Sequence, residues 1–256
     1  MRYPNGLFGW ADLMTRDPGR AIEFYEGLFG WTHVDQPTPM GPPYTQFFKD
    51  GQLVCGLSPM MPGVPEEVGA FWTSYVLVED ADATAAAAEA AGGTVSMPPM
   101  DVMDQGRMAM LADPTGAAVG LWQPAAHQGA DVFNAPGSMT WNELQTRDIG
   151  AALPFYETVF GWEWDDGPNP GYYVANIAAK EGDDKSNAGA MTTPPGVPDE
   201  APNVWMVYFA VEDCDTSMAA AEGLGGEVFL PAMEMGPGKF GGLIDPTGGM
   251  FLLGSF

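Results

Sequence analysis

Basic residues are scarce in this sequence of 256 residues. It has nine Lys and Arg against 34 Asp and Glu, so its formal net charge is −25. A protein with this charge repels the phosphates of nucleic acids and anionic lipid surfaces. We therefore expect neither nucleic acid nor a membrane among its partners.

Cysteine and long apolar segments are also lacking. Cys55 and Cys214 are the two cysteines, and they lie at non-equivalent points of the repeats described below. We therefore expect separate buried thiols rather than a disulfide. No apolar run approaches the roughly 20 residues of a membrane-spanning helix. The start, MRYPNGLFGWADL, lacks the apolar core of a secretory signal, so we expect a cytoplasmic protein.

One long segment is present twice. WADLMTRDPGRAIEFYEGLFGW, residues 10–31, returns 131 residues later as WNELQTRDIGAALPFYETVFGW, residues 141–162. In the first copy an alternating strand leads to a helix that Asp17 caps and Gly30 ends. A match of this length indicates a duplication.

Three short strands follow the helix, so the repeated unit is βαβββ. A second such unit begins at Trp72 and again at Trp205, and an Asp-Pro-Thr-Gly turn precedes its last strand at 113–116 and 245–248. The predicted fold class is α+β, with four βαβββ modules at 7–58, 70–124, 138–192 and 203–256. We assign 1–124 to a first domain, 125–137 to a linker and 138–256 to a second domain.

The third module differs from the first in two places. Pro154 lies inside its predicted helix, where we expect a kink. An insertion, EGDDKSN at 181–187, is expected to form a polar surface loop.

Paired βαβββ units with FYEGLFGW or FYETVFGW after the first strand and DPTG before the last strand resemble the vicinal-oxygen-chelate superfamily. That superfamily includes glyoxalase I, bleomycin-resistance proteins and extradiol dioxygenases. The resemblance covers nearly the whole chain as two fused copies, and it is closest to two-domain actinobacterial glyoxalase-like proteins. It implies that each pair of modules forms a half-barrel around a small-molecule cavity.

The resemblance also implies where a metal would bind. Metal-dependent members place His or Glu at the start of the first strand and near the end of the last strand of their modules. Here those positions carry Trp10, Thr73, Gly120, Trp141, Met206 and Leu252. Divalent metals need carboxylate, imidazole or thiolate ligands, and neither His33 nor His127 lies at such a position. We therefore expect no metal and no other cofactor.

Strand alternation predicts which side chains face the cavity. The first strand presents Trp10, Asp12 and Met14 there, and the third module presents Trp141, Glu143 and Gln145. A carboxylate among apolar groups tends to hold its proton, which suits a general acid or base. Asp12 and Glu143 are the candidate catalytic residues, although each could instead hydrogen-bond a neighbouring loop.

Further ligand-binding candidates lie in the second and fourth modules. Tyr75 and Tyr208 are equivalent and could donate a hydrogen bond to a ligand carbonyl, or could be core aromatics. Thr73, Met206 and Trp122 are predicted to line the same cavities.

A basic residue is repeated in both halves. Arg107 and Lys239 are equivalent and could bind an anionic group of a substrate. The alternative is pairing with a nearby carboxylate, namely Asp101, Asp104 or Glu234.

The sequence thus predicts binding of a small, largely apolar organic molecule in a barrel cavity, without metal, by a monomer or homodimer. One alternative is a lyase or isomerase of the glyoxalase I type, acting on an oxoaldehyde–thiol adduct with a carboxylate base. Another is a hydroxylase or dioxygenase, which would need Fe(II) held by two histidines and a carboxylate.

Overall fold

The computed structural model of the chain describes residues 2–39, 41–235 and 238–256. Within them the predicted βαβββ order occurs four times. The first module contains β1 (Phe8–Thr15), α1 (Pro18–Phe29), β2 (Thr32–Gln36), β3 (Tyr44–Lys49) and β4 (Gln52–Pro59). The second contains β5 (Phe71–Leu77), α2 (Ala81–Ala90), β6 (Thr94–Val102), β7 (Gly106–Ala112) and β8 (Ala118–Pro124).

The second half repeats this arrangement. The third module contains β9 (Met139–Thr146), α3 (Ile149–Phe160), β10 (Glu163–Asp166), β11 (Tyr172–Asn176) and β12 (Ser186–Thr192). The fourth contains β13 (Val204–Ala210), α4 (Cys214–Gly223), β14 (Glu227–Met235), β15 (Gly238–Ile244) and β16 (Met250–Ser255). No helix in the described ranges is long and apolar enough to cross a membrane.

Local signals set the helix ends as predicted. The Asp17 side chain accepts a hydrogen bond from the Arg20 N–H at 3.0 Å, and Pro18 is the first residue of α1. Gly30 ends the helix with a φ of 64°, a conformation that favours glycine. The helix α3 continues through Pro154 and has 12 residues, as many as α1.

The insertion differs from its predicted loop at its end. Ser186 and Asn187 belong to β12, and Asn187 is buried. Its side chain accepts a hydrogen bond from the Phe8 N–H at 3.1 Å and donates one to the Gly6 carbonyl at 3.2 Å. An amide side chain can bond a backbone donor and a backbone acceptor at once. These two bonds offset the cost of burying the polar Asn187 side chain.

The strands form two eight-stranded mixed sheets. Their orders are β2-β3-β4-β1-β5-β8-β7-β6 and β10-β11-β12-β9-β13-β16-β15-β14. In each module the first and last strands pair in parallel and the other neighbours pair antiparallel. Consecutive modules therefore share a sheet: the first pairs with the second, and the third pairs with the fourth.

Packing divides the chain differently from the sheets, because two compact units each combine parts of both halves. The α2–α3 unit contains the segment up to Trp10, Ser74–Gly129 and Trp141–Met206. Its core surrounds α2 and α3. The α1–α4 unit contains Ala11–Thr73, Ala130–Thr140 and Val207–Phe256, and its core surrounds α1 and α4. Cys55 and Cys214 are buried free thiols in this unit, as predicted.

The repeated Phe-Tyr and Asp-Pro-Thr-Gly motifs meet in the α1–α4 core. The Tyr25 hydroxyl donates to Asp245 Oδ2 at 2.7 Å and accepts from Trp72 Nε1 at 3.0 Å. The other oxygen of Asp245 accepts from the N–H and hydroxyl of Thr247, both at 2.7 Å. Burial, and then the charge of Asp245, raises the pKa of Tyr25 well above its ordinary value.

The α2–α3 core contains the equivalent network. The Tyr156 hydroxyl donates to Asp113 Oδ2 at 2.9 Å and accepts from Trp205 Nε1 at 2.7 Å. In each case a tyrosine of one half bonds the turn of the other half. These repeated motifs therefore belong to the cores, on the helix side of the sheets.

Candidate functional site

The helices define two faces of each sheet. On β1, Ala11 and Leu13 belong to the core around α1. Asp12 and Met14 alternate with them and so point to the opposite side. We call this side, which faces away from the helices, the front face.

The same alternation holds on β9. Leu144 belongs to the core around α3, so Glu143 and Gln145 point to the front face, as does Trp141. The structure therefore places the predicted carboxylates on the predicted face of their strands.

Glu143 lies in a hydrogen-bonded cluster within the α2–α3 unit. It is 3% exposed, and it accepts a bond from Gln145 Nε2 at 3.0 Å and another from the Tyr172 hydroxyl. Trp141 Nε1 donates to the Tyr172 oxygen at 2.9 Å. Burial, followed by the charge of Glu143, raises the pKa of Tyr172 far above its ordinary value.

Asp12 has an equivalent neighbour within the α1–α4 unit. It is 9% exposed, and the Tyr44 hydroxyl donates to its Oδ2 at 3.2 Å. Burial, and secondarily the charge of Asp12, raises the pKa of the Cys55 thiol. The site in each half is thus a buried carboxylate bonded to a tyrosine of the third strand.

A glycine makes room for each tyrosine ring. A Cβ on Gly56 would lie 1.9 Å from the Tyr44 hydroxyl oxygen, and one on Gly189 would lie 2.0 Å from that of Tyr172. Because glycine lacks this atom, the ring can lie across the last strand and reach the carboxylate of the first.

The prediction from sequence missed Tyr44 and Tyr172. A signal was present, because each is the first residue of the third strand of its module. The lengths of the preceding turns differ between the halves, so the constant offset that revealed the other repeats does not connect them.

His127 has a packing role that its position in the predicted linker did not indicate. Its ring centroid lies 4.4 Å from that of Trp10 and 5.4 Å from that of Trp122. Trp122 Nε1 donates to the His127 carbonyl at 2.9 Å. Two predicted ligand-binding tryptophans therefore pack around this histidine.

The remaining candidates of the second and fourth modules are buried. Thr73, Tyr75, Met206 and Tyr208 all have little exposed surface. Tyr75 lies opposite Gly120 in the pairing of β5 with β8, and the Tyr208 ring lies 6.0 Å from that of Phe240.

Arg107 is held by carboxylates on the helix side of its sheet. It bonds both oxygens of Asp82, at 2.7 and 2.9 Å, and Asp101 at 2.8 Å. The predicted pair with Asp101 is confirmed, whereas Asp82 of α2 was not foreseen. These bonds lower the pKa of Asp82.

Lys239 pairs with Asp215 of α4, where the sequence suggested Glu234. The bond to Asp215 raises the pKa of Lys239. Arg107 bonds α2 and Lys239 bonds α4, and both helices pack on the side opposite the front face, so both repeated cations point away from the front face.

The metal of the superfamily does not fit the residues present. Its ligand positions carry tryptophan, threonine, methionine, leucine or glycine side chains, none of which binds divalent metals well. In residues 2–39, 41–235 and 238–256, no three His, Cys, Asp or Glu side chains come close enough to hold a metal ion.

Comparison with known proteins identifies both halves. Residues 7–121 match the family model "Glyoxalase/Bleomycin resistance protein/Dioxygenase superfamily", and residues 141–253 match "Glyoxalase-like domain". "Putative glyoxylase CFP32" of Mycobacterium tuberculosis is 41% identical over 255 residues, which cover 97% of this chain and 94% of that protein. "Anthracycline biosynthesis protein DnrV" of Streptomyces peucetius is 38% identical over 261 residues, covering 98% and 93%.

Solved structures show the same fold. The Mn(II)-bound glyoxalase from Novosphingobium aromaticivorans superposes with a TM-score of 0.65 at 15% identity, covering 98% of this chain and 83% of that chain. With four βαβββ modules, two eight-stranded sheets and relatives near 40% identity along its length, the chain belongs to the glyoxalase/bleomycin resistance protein/dioxygenase superfamily.

Proposed function

We propose that this protein binds a small, largely apolar organic molecule at the front faces of its sheets, without a divalent metal. The observation that carries the proposal is the repeated carboxylate–tyrosine pair, Asp12 with Tyr44 and Glu143 with Tyr172. Each tyrosine hydroxyl donates a hydrogen bond to the carboxylate, so the remaining lone pairs of each pair are acceptors. A carboxylate has lone pairs for several donors, and a ligand hydroxyl or N–H group suits it.

The surroundings and the charge narrow the kind of ligand. Trp141 and Met14 flank the carboxylates on the same strand faces, and such side chains favour apolar surface. A chain with a net charge of −25 disfavours an anionic ligand. The relative named for anthracycline biosynthesis supports this choice, because anthracyclines are largely apolar organic molecules.

Native mass spectrometry of protein purified from its own host tests binding directly. A bound organic molecule of defined mass is expected. Glu143→Gln keeps the shape of the side chain and removes its charge, so it should weaken binding of that molecule about 10- to 100-fold. Glu163→Gln, on an exposed position of β10, is the matched control and should bind as the unaltered protein does. Full affinity in both Asp12→Asn and Glu143→Gln would refute the proposal.

The metal-independent part has its own test. The protein is equilibrated with Mn²⁺ and with Zn²⁺, desalted, and analysed by inductively coupled plasma mass spectrometry. We expect far less than one ion per chain, because the ligand positions lack donors. One retained ion per half, with binding that depends on it, would overturn this part.

A lyase or isomerase is the second candidate, and the burial and fixed position of Glu143 favour it. As a general base, Glu143 would take the C–H proton next to the carbonyl of an oxoaldehyde–thiol adduct and return it to the neighbouring carbon, which isomerises the adduct. Such a base contributes about 10²- to 10⁴-fold in rate. The rate of thioester formation from methylglyoxal and a thiol should fall by that factor in Glu143→Gln. An unchanged rate in both Glu143→Gln and Asp12→Asn would exclude the mechanism.

Dioxygenase chemistry has no supporting set of iron ligands among the described residues.

A further inference from the structure

The front face of β6, β7 and β8 carries a group of methionines that the carboxylate clusters do not use. Its orientation follows from the opposite face. Arg107 bonds Asp82 of α2, and Ala109 and Leu111 belong to the core around that helix. Met108 and Met110 alternate with these residues, so they lie on the front face.

Strand pairing adds two more methionines to this face. Met97 lies opposite Met110, and Met100 lies opposite Met108. Directly opposed residues of an antiparallel pair share a face. The register shifts between Met97 and Met100, where β6 has one residue more than β7, so both methionines oppose residues of the same face of β7. Four thioethers therefore form two adjacent cross-strand pairs.

The two rows continue into aromatic rings. Met108 lies opposite Trp122 on β8, and Met110 lies opposite Gly120, which in turn lies opposite Tyr75 on β5. We call Met97, Met100, Met108 and Met110, with Tyr75 and Trp122, the methionine platform. All six residues belong to the α2–α3 unit.

The rings of this platform lie along the sheet. A Cβ on Gly120 would be 2.1 Å from Cδ1 of Tyr75, and one on Gly106 would be 2.5 Å from Cζ2 of Trp122. Each ring thus lies over a glycine of the neighbouring strand, so the rings stay close to the backbone and leave an apolar surface. Tyr75 and Trp122 are 7% and 5% exposed, while Met100 is 48% exposed, so the platform is most accessible at its β6 edge.

The second half does not repeat this composition. Phe240 occupies the position equivalent to Met108, and only Met233 and Met235 lie on β14. The methionine platform is therefore a specialised feature of the first half.

We propose that the methionine platform binds the face of a planar, polycyclic aromatic molecule. This rests on the proposed function and names the ligand class for the first half. Thioether sulfur is polarizable and makes favourable contacts with aromatic rings, and the unbranched methionine chain adapts to the shape of a ligand. A surface made of thioethers and aromatic rings suits the face of a fused ring system, whose polar groups lie at its edge.

NMR of protein labelled at the methionine methyl carbons tests this with 1,4-dihydroxyanthraquinone as the probe. Single Met→Leu variants assign the signals. We expect upfield ring-current shifts for Met97, Met100, Met108 and Met110, and unmoved signals for Met233 and Met235. Shifts confined to the second-half methionines, or no binding of the probe, would overturn the proposal.

Affinity measurements provide an independent readout. Replacing all four platform methionines by leucine keeps apolar volume and should weaken probe binding at least tenfold. The control variant Met233→Leu/Met235→Leu should stay within twofold of the unaltered protein, and 1-adamantanol, which is apolar but not aromatic, should bind at least tenfold more weakly than the probe.

Two further outcomes separate this inference from the proposed function. If adamantanol and the anthraquinone bind equally and binding is weakened only in Asp12→Asn and Glu143→Gln, the proposed function stands and the aromatic platform is wrong. If Asp12→Asn and Glu143→Gln bind the probe with unchanged affinity and the platform shifts persist, the platform stands and the carboxylate proposal is wrong.

Discussion

At the scale of single residues, tyrosine hydrogen bonds and glycines, which lack a Cβ atom, determine the structure of the cores and of the candidate sites. Tyr25 and Tyr156 each join a buried aspartate to a tryptophan. Gly56 leaves room for Tyr44 to reach Asp12, and Gly189 leaves room for Tyr172 to reach Glu143. The first two tyrosines lie in the cores, whereas Tyr44 and Tyr172 lie on the front faces.

The core tyrosines should make the protein sensitive to alkaline pH. Burial and an aspartate raise the pKa of Tyr25 and Tyr156 in the folded state, while the unfolded chain ionises them near pH 10. Their contribution to stability is complete below pH 10 and falls as the pH rises above it, by about 1.4 kcal/mol per pH unit and tyrosine.

Chemical denaturation at pH 9 and pH 11 measures this effect. The double variant Tyr25→Phe/Tyr156→Phe should be less stable at pH 9, by about 1 kcal/mol for each lost hydrogen bond. Its free energy of unfolding should also depend less steeply on pH. Equal slopes for both proteins would show that other groups cause the alkaline loss.

The glycine next to Tyr44 should not tolerate a side chain. Gly56→Ala places a methyl group where the hydroxyl oxygen of Tyr44 lies, so the ring must move away from Asp12, at a cost of about 1–3 kcal/mol. The melting temperature and the ligand affinity should both decrease. Gly223→Ala is the control, because nothing lies within 4 Å of the added atom, and an unchanged affinity in Gly56→Ala would contradict the assigned role of Tyr44.

At the scale of elements, the arginine of the repeated Thr-Arg-Asp run holds the segment that connects two modules. Arg16 Nη2 donates to the carbonyls of Val64 at 3.0 Å and Pro65 at 2.7 Å, and Nη1 donates to that of Val68. Arg147 makes comparable bonds to Pro198 and Ala201 in the second half. Five guanidinium donors in a planar fork suit several carbonyls at once.

Removing this arginine should loosen the connection. In Arg16→Ala, limited proteolysis with a glutamate-specific protease should cleave after Glu66 or Glu67 several times faster, because local opening of the segment costs less free energy. Arg20→Ala is the matched control, since Arg20 contacts Glu23 and the carbonyl of Leu224 instead. Equal cleavage rates in the two variants would argue against a fastening role for Arg16.

At the scale of the whole molecule, the sheets follow the halves of the chain whereas the cores do not. Consecutive modules share a sheet, but α1 packs with α4 and α2 packs with α3. The duplicated halves are therefore repeats in sequence that depend on each other for burial of their helices.

This dependence predicts the behaviour of an isolated half. Residues 1–129 alone would expose the helix-side surfaces that the second half covers, so they should not unfold cooperatively as a monomer. Binding of a hydrophobic dye should be high for this fragment and should fall when residues 130–256 are added. A folded, monomeric fragment with a cooperative melting transition would contradict the prediction.

Much of the architecture was predictable because local signals specify it. Asp17 and Gly30 set the ends of α1, alternation set the front face of β1 and β9, and the constant offset of the repeats gave four modules. Asp101 was one of three nearby carboxylates that the sequence offered as partners of Arg107 and Lys239, and it faces Arg107 on the neighbouring strand.

Contacts between distant segments were decided only by the tertiary structure. The sequence by itself determined the modules, their faces and the two carboxylates, because these follow from periodicity and repetition over short ranges. The tertiary structure decided that Tyr25 meets Asp245, that Tyr172 meets Glu143, and that four methionines line one face. Such meetings depend on strand register and on which helices pack together, and neither is encoded in the local pattern of a single segment.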